Sequence, residues 1–176
     1  MKLAIAMVVG SLLAMGARAV AEELKVGDQA PDFKMVGSDG KTYSLSELNK
    51  QGKAVVIAWF PRAMTPGCTK ECTSFKTEGA KMRDYNVAYF TASNDPPEKN
   101  KEFAQSLGAD YPILSDPDSS VAQKYGVYNP ERKAAQRWTF YISPNGKILA
   151  IDKMVKTDTH GADVASKLGE LGVKKK

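Results

Sequence analysis

The feature that most constrains the fold is an uninterrupted apolar segment, Ala54 to Phe60, followed at once by a loop and then a helix signal. The segment does not alternate with polar residues and is rich in β-branched and aromatic side chains, which predicts a buried strand. Two prolines and Gly67 then require a loop, and no Gly or Pro interrupts the chain again before Gly79. The sequence therefore predicts a strand, a loop and a helix that begins near residue 67 or 68.

Both cysteines of the chain lie in this unit, with Cys68 in the predicted first helical turn and Cys72 one turn later. A thiol in a first turn faces backbone N–H groups without intrahelical partners and the positive end of the helix dipole, and both favour the thiolate. Arg62 and Lys70 add positive charge nearby in the sequence. Because the thiolate is the reactive form, we expect a reactive Cys68 rather than a cysteine that serves as a small buried hydrophobic residue.

The rest of the chain alternates predicted strands and helices. An Asp39-Gly40 turn separates two short strands within Val26 to Leu48, with a helix start at Ser46, and Asn145-Gly146 marks a hairpin near the end. Strands are predicted over 86–92, 111–114, 138–142 and 147–151, and helices over 96–107, 119–124 and 162–171. This order predicts an α/β fold, a thioredoxin-like three-layer sandwich with a central mixed sheet and an N-terminal extension.

The N-terminus is typical of a secretory signal peptide. Lys2 precedes an uncharged apolar stretch from Leu3 to Ala17, and small residues offer cleavage sites after Ala19 or Ala21. The stretch is short for a transmembrane helix. We therefore expect residues 1–21 to be removed and the protein to be periplasmic or secreted, with no stable membrane association afterwards.

The remaining chain is expected to form one domain over residues 22–172 and a solvated basic tail over 173–176. Removal of the signal peptide lowers the formal net charge from +5 to +3, since Lys2 and Arg18 are lost. The other basic residues are scattered and form no patch interleaved with aromatics, which argues against nucleic-acid binding. Two cysteines are too few for a disulfide scaffold, so redox chemistry is the better interpretation of the pair.

Segments along nearly the whole predicted domain resemble the peroxiredoxins of AhpC/TSA type. Pro61-x-x-x-Thr65-x-x-Cys68 is similar to their active-site signature. Within it, Thr65-Pro66-Gly67-Cys68-Thr69 is similar to the Q-type branch, also called bacterioferritin comigratory proteins. Val26 to Phe33 resembles the opening segment of the family. Ser115 to Pro117 resembles its central loop, and Arg137 to Gly146 resembles its second active-site segment.

The resemblance implies that Cys68 is a peroxidatic cysteine that reduces hydrogen peroxide or organic hydroperoxides. Attack on one peroxide oxygen moves negative charge along the O–O axis, so hydrogen-bond donors must be aimed at both oxygens beforehand. The implied donors are the Thr65 hydroxyl, the backbone N–H groups of Gly67 and Cys68, and the Arg137 guanidinium, which also stabilises the thiolate. Pro61 is implied to shield the sulfur from bulk water.

The resemblance also implies a role for Glu71, which would hold Arg137 in place. An equally good interpretation is an ordinary first-turn acid that stabilises the helix dipole. The implied partners are a peroxide substrate and a dithiol reductant such as a thioredoxin-like protein. No metal or organic cofactor is required, and we expect a monomer.

Cys72 departs from the family pattern, because the resolving cysteine of the Q-type branch commonly follows the peroxidatic one by five positions and Cys72 follows Cys68 by four. On a helix this separation gives a rise of about 6 Å with poorly directed Cβ vectors, so a disulfide requires the first turn to unwind. Our hypothesis is that Cys72 attacks a Cys68 sulfenic acid after such local unfolding. The alternative is a one-cysteine cycle in which an external thiol resolves Cys68 and Cys72 is structural.

Two other functions remain open from the sequence. Cys-x-x-x-Cys also resembles the copper site of Sco-type assembly chaperones, where two thiolates and an imidazole suit Cu(I). Against this, Thr73 stands where those proteins usually have Pro, and His160 follows the last hairpin, near a helix start where we expect a surface residue. A thioredoxin-type disulfide reductase would need Cys-x-x-Cys and a facing cis-proline, and no proline lies between Glu131 and Ser143.

Overall fold

A seven-stranded mixed sheet forms the centre of the chain in a computed structural model that describes residues 23–176. The predicted signal peptide lies outside the described residues. The strands are β1 Lys34–Gly37, β2 Thr42–Ser44, β3 Ala54–Trp59, β4 Val87–Ser93, β5 Ile113–Ser115, β6 Tyr128–Asn129, β7 Ala134–Ala135, β8 Thr139–Ile142 and β9 Ile148–Asp152. The helices are α1 Leu45–Lys50, α2 Pro66–Arg83, α3 Pro97–Leu107, α4 Ser120–Lys124 and α5 His160–Glu170.

The sheet order is β2-β1-β5-β4-β3-β8-β9, and it contains both parallel and antiparallel pairs. β3, β4 and β5 run parallel, whereas β8 runs antiparallel to β3. The predicted hairpin joins β8 to β9. β6 and β7 form a separate two-stranded ladder that was not expected from the sequence.

Successive residues of β3 face two different cores. Val55 and Ile57 pack into a core that includes side chains of α1 and α4, while Val56 and Ala58 pack into a second core with α2, α3 and α5. Because both faces of the strand are covered, its sequence shows no polar alternation. The predicted three-layer sandwich is confirmed.

β3 and β8 pair antiparallel, so the end of β3 lies beside the start of β8 and brings together two segments that are distant in the sequence. The backbone N–H of Trp59, at the end of β3, donates to the carbonyl of Trp138, just before β8, at 2.8 Å. The loop after β3 therefore lies beside the residues that precede β8. α5 packs on α2 so closely that a Cβ at Gly161 would collide with the Ser74 carbonyl.

The C-terminal tail is held by its backbone. Its lysine side chains are exposed, as expected, but the Asn86 N–H donates to the Lys174 carbonyl at 2.7 Å and the Lys176 N–H donates to the Asp84 carbonyl at 2.9 Å. Lys175 lies over the Tyr85 ring. Within residues 23–176, no helix is long and apolar enough to cross a membrane.

Candidate active site

Cys68 lies in the first turn of α2, as predicted. Pro66 is the first helical residue, and the first helical hydrogen bond runs from the Thr69 N–H to the Thr65 carbonyl at 2.8 Å. The N–H groups of Gly67 and Cys68 therefore have no intrahelical acceptor and remain available as donors at the helix N-terminus. The Cys68 side chain is buried, with 1% of its surface exposed.

Arg137 reaches the sulfur from the segment before β8. Its Nη2 donates to Cys68 Sγ at 3.3 Å. A guanidinium in this position offers both a hydrogen bond and a positive charge to a thiolate. The two residues are 69 positions apart in the sequence, and the β3–β8 pairing brings them together.

Glu71 pairs with Arg137, as the family resemblance implies. Its side chain is fully buried, and Oε2 forms an ion pair with Arg137 Nη1. The alternative interpretation, a first-turn acid that stabilises the helix dipole, is wrong, because α2 begins at Pro66 and its first turn contains no acidic residue. Glu71 instead carries the counter-charge of Arg137 inside the protein.

His160 is not a surface residue, and that expectation is wrong. The ring is 1% exposed, with Nδ1 2.9 Å from Glu71 Oε1 and Nε2 2.7 Å from Thr139 Oγ1. Burial, helped by the positive charge of Arg137, lowers the pKa of His160 to about 3. The ring is therefore neutral at physiological pH. Gly161, which follows the histidine, lets the backbones of α5 and α2 approach.

Thr65 and Pro61 line the loop that leads to Cys68. The Thr65 hydroxyl donates to the Arg62 carbonyl at 2.9 Å, so its single hydrogen is already used. Thr65 therefore presents its oxygen as an acceptor, whereas the family resemblance implied a donor. Pro61 is half-buried, while Arg62 and Lys70 are exposed.

The same loop is anchored by Asp95, a residue that no sequence motif indicated. Asp95 Oδ2 accepts hydrogen bonds from the Ala63 N–H at 2.7 Å and from the Ser93 hydroxyl at 3.0 Å, and Oδ1 pairs with Lys99 at 2.6 Å. Met64 follows with φ at +66°, a conformation that side-chain-bearing residues rarely adopt. The carboxylate thus holds the loop close to a strained turn beside the cysteine.

Cys72 lies one turn beyond Cys68 and is fully buried; neither cysteine is in a disulfide. Its Sγ is 3.8 Å from Thr91 Oγ1, and its backbone carbonyl accepts a hydrogen bond from the Tyr111 hydroxyl at 2.9 Å. Burial raises the pKa of Cys72 to about 12. In this conformation Cys72 is a thiol, not a thiolate.

The geometry weakens the copper-chaperone alternative. That function needs an imidazole free to join the two thiolates, but both ring nitrogens of His160 already have partners, Glu71 and Thr139. Copper binding also gives no role to the Arg137 contact with Cys68.

Comparisons with known proteins identify the family. The AhpC/TSA family matches residues 26–151. The putative peroxiredoxin Bcp of Coxiella burnetii is 32% identical over 82% of this chain and 99% of its own length, and the peroxiredoxin Bcp of Escherichia coli is 32% identical over 78% and 90%. The crystal structure of peroxidoxin BcpB from Mycobacterium tuberculosis superposes with a TM-score of 0.76 at 32% identity, covering 84% of this chain and 98% of that one.

These matches favour a thiol peroxidase over the copper-chaperone and disulfide-reductase alternatives. They also agree with the observed fold. The chain belongs to the AhpC/TSA family, as a peroxiredoxin of the Bcp, or Q-type, branch.

Proposed function

We propose that Cys68 is the peroxidatic cysteine of this thiol peroxidase and that it reduces hydrogen peroxide and organic hydroperoxides. The observation that carries the proposal is the 3.3 Å contact between Arg137 Nη2 and Cys68 Sγ at the N-terminus of α2. The helix end and the guanidinium both favour the thiolate, and both lie where negative charge develops as the O–O bond breaks.

In the proposed reaction the Cys68 thiolate attacks one peroxide oxygen and the O–O bond breaks. The sulfur becomes a sulfenic acid, and the other oxygen leaves as hydroxide or alkoxide and takes up a proton. The guanidinium of Arg137 and the free N–H groups of Gly67 and Cys68 stabilise the developing charge. The Thr65 oxygen, whose own hydrogen is bound to the Arg62 carbonyl, accepts the O–H of the peroxide.

We further propose that Cys72 resolves the sulfenic acid after α2 opens locally. The Cys72 sulfur attacks Cys68, a disulfide forms and water leaves, after which an external dithiol reduces the pair. Opening is required because Cys72 is buried as a thiol and its carbonyl is bound by Tyr111. The competing one-cysteine cycle needs no opening and uses an external thiol.

The intact mass of the reduced protein after one equivalent of hydrogen peroxide tests both steps. Loss of about 2 Da within seconds is the expected result, whereas a gain of about 16 or 32 Da would indicate oxidation without internal resolution. Cys68→Ser should show neither change. A parent protein that does not react rapidly would refute the peroxidase proposal and make Cu(I) titration the next experiment. If Cys72→Ser turned over with a dithiol as fast as the parent, the internal disulfide step would be excluded.

We also propose an extracytoplasmic location, which rests on Lys2, the apolar stretch that follows it and the small residues before Glu22. The physiological reductant would then be a thioredoxin-like dithiol protein outside the cytoplasm. N-terminal sequencing of the protein from fractionated cells should give a chain that begins at Val20 or Glu22. A cytoplasmic protein that retains residues 1–21 would contradict this location.

A further inference from the structure

A continuous chain of polar contacts runs from β8 to the reactive sulfur. Thr139 Oγ1 is 2.7 Å from His160 Nε2, and His160 Nδ1 is 2.9 Å from Glu71 Oε1. Glu71 Oε2 pairs with Arg137 Nη1, and Arg137 Nη2 is 3.3 Å from Cys68 Sγ. The three inner members, Thr139, His160 and Glu71, are each at most 1% exposed. Water therefore does not compete for these contacts.

The direction of each hydrogen bond follows from the chemistry of the groups. An ionised carboxylate can only accept, so the neutral His160 ring carries its hydrogen on Nδ1 and donates it to Glu71. Nε2 is then an acceptor, and the Thr139 hydroxyl donates to it. The neutral ring has one N–H, and Glu71 accepts it, so the histidine has no proton to transfer to the sulfur. His160 therefore acts on Cys68 only through its hydrogen bond to Glu71.

The two oxygens of Glu71 are divided between two partners. Oε1 accepts from His160, and Oε2 is the oxygen paired with Arg137. Arg–carboxylate pairs otherwise favour two parallel N–H···O bonds. With Nη1 already on Glu71, an end-on pairing would take one N–H of Nη2 as well and would rotate the guanidinium toward the carboxylate. The division leaves Arg137 Nη2 for Cys68.

We propose that His160 is a positioning residue for Cys68: by holding one oxygen of Glu71, it prevents a two-bond pairing with Arg137 and keeps Arg137 Nη2 directed at the sulfur. The inference deepens the proposed peroxidase function and rests on it for its catalytic meaning. Without the imidazole, Glu71 Oε1 turns to Arg137 and draws Nη2 away from the thiolate.

The packing around His160 supports a fixed position. The Phe75 ring of α2 lies edge-on to the imidazole with centroids 4.9 Å apart, and the Gly161 N–H donates to the Ser74 hydroxyl at 2.9 Å. The charged groups that face the ring are Glu71 from α2 and Arg137 from the segment before β8. On α5 itself, the Asp163 carboxylate is bound to the Thr159 hydroxyl.

The test is the pH profile of Cys68 alkylation by iodoacetamide in the reduced full protein. Trypsin cuts after Arg62, Lys70 and Lys76, so Cys68 and Cys72 fall on separate peptides that mass spectrometry distinguishes. The variants are His160→Leu, which removes the donor, and His160→Asn, whose amide N–H can replace Nδ1. Val164→Ala is the control, because it removes buried packing from the same helix and takes part in none of the polar contacts of the chain.

For His160→Leu we expect the alkylation profile to move to higher pH by about one unit, which makes alkylation about tenfold slower below both midpoints. His160→Asn should restore the parent profile to within about a third of a unit, and Val164→Ala should leave it unchanged. If His160→Leu does not fold, His160→Gln is used in its place. The longer glutamine side chain places its amide near Thr139 rather than at the position of Nδ1.

Three results would overturn the inference: a parent-like profile for His160→Leu, a shift in His160→Asn as large as that in His160→Leu, or an equal shift in Val164→Ala. Alkylation does not depend on peroxide turnover. Failure of the peroxidase proposal would instead appear as a parent Cys68 that peroxide does not oxidise, so the two failures are distinguishable.

Discussion

Acidification should destabilise the protein through the buried ring of His160. The pKa of the buried ring is lowered to about 3, while a histidine in the unfolded chain has a pKa of about 6.5. As the pH falls below the pKa of the unfolded chain, the histidine binds a proton in the unfolded state but not in the folded state. The contribution to stability is therefore fully present above about pH 6.5 and is lost as the pH falls from there toward 3.

The size of this loss follows from the interval between the two pKa values. Each pH unit inside it removes about 1.4 kcal/mol from the free energy of unfolding, so a change from about pH 7.5 to about pH 5 removes about 2 kcal/mol. The side chain is 1% exposed, so solvent screening does not reduce the effect appreciably. The physical cause is burial first, and the positive charge of Arg137 second.

The assay is urea unfolding followed by far-UV circular dichroism at several pH values between about 7.5 and 5, for the parent and for His160→Asn. Asparagine does not titrate, and its amide can keep the hydrogen bond to Glu71. The parent should lose about 2 kcal/mol more than the variant over this range. Parallel losses in the two proteins would refute the reasoning, because they would show that the folded protein accommodates a charged imidazole.

Three further substitutions test the surroundings of the site. Gly161→Ala should lower the free energy of unfolding by about 1 to 3 kcal/mol in urea titrations, since its Cβ would collide with the α2 backbone; an unchanged value would mean that α5 can shift. Asp95→Ala leaves the Ala63 N–H without its acceptor, so we expect a loss of about 1 to 3 kcal/mol and slower peroxide reduction in stopped-flow assays; an unchanged rate would show that this anchor does not shape the site. Tyr111→Phe releases the Cys72 carbonyl and should speed disulfide formation after peroxide, measured by quenching and intact mass; an equal rate would show that opening does not require this release.

The elements that the sequence predicted well are those whose signals are local. The apolar run over Ala54 to Phe60 and the hairpin at Asn145-Gly146 appear close to their expected positions. α2 continues past Gly79, where the sequence offered a stop. Glycine in a helix interior is unfavourable by about 1 kcal/mol, but here its missing side chain admits the Tyr89 hydroxyl, and this tertiary packing decides the outcome. The short β6–β7 ladder has only two residues in each strand and no pattern to reveal it.

In the candidate site, too, the residues with local sequence signals were predicted and those placed by long-range contacts were not. Cys68, Arg137 and Glu71 belong to segments that resemble family motifs, so the sequence identified them. His160 was expected at the surface because its contact with Glu71 spans 89 positions and depends on how α5 crosses α2. Asp95 was missed for a related reason, since only the parallel alignment of β4 with β3 brings its carboxylate to the loop before Cys68.

The two cysteines lie one helical turn apart and have different surroundings. Both thiols are buried on α2 and contribute to the same apolar core, so burial alone cannot distinguish them. Cys68 has the helix N-terminus and the Arg137 guanidinium beside it, whereas the Cys72 sulfur faces the Thr91 hydroxyl and its burial raises the pKa to about 12. A thiol with that pKa is a poor nucleophile while the helix is intact. The order of the proposed reaction follows: Cys68 must react first, and Cys72 becomes reactive only when α2 opens and exposes it to water.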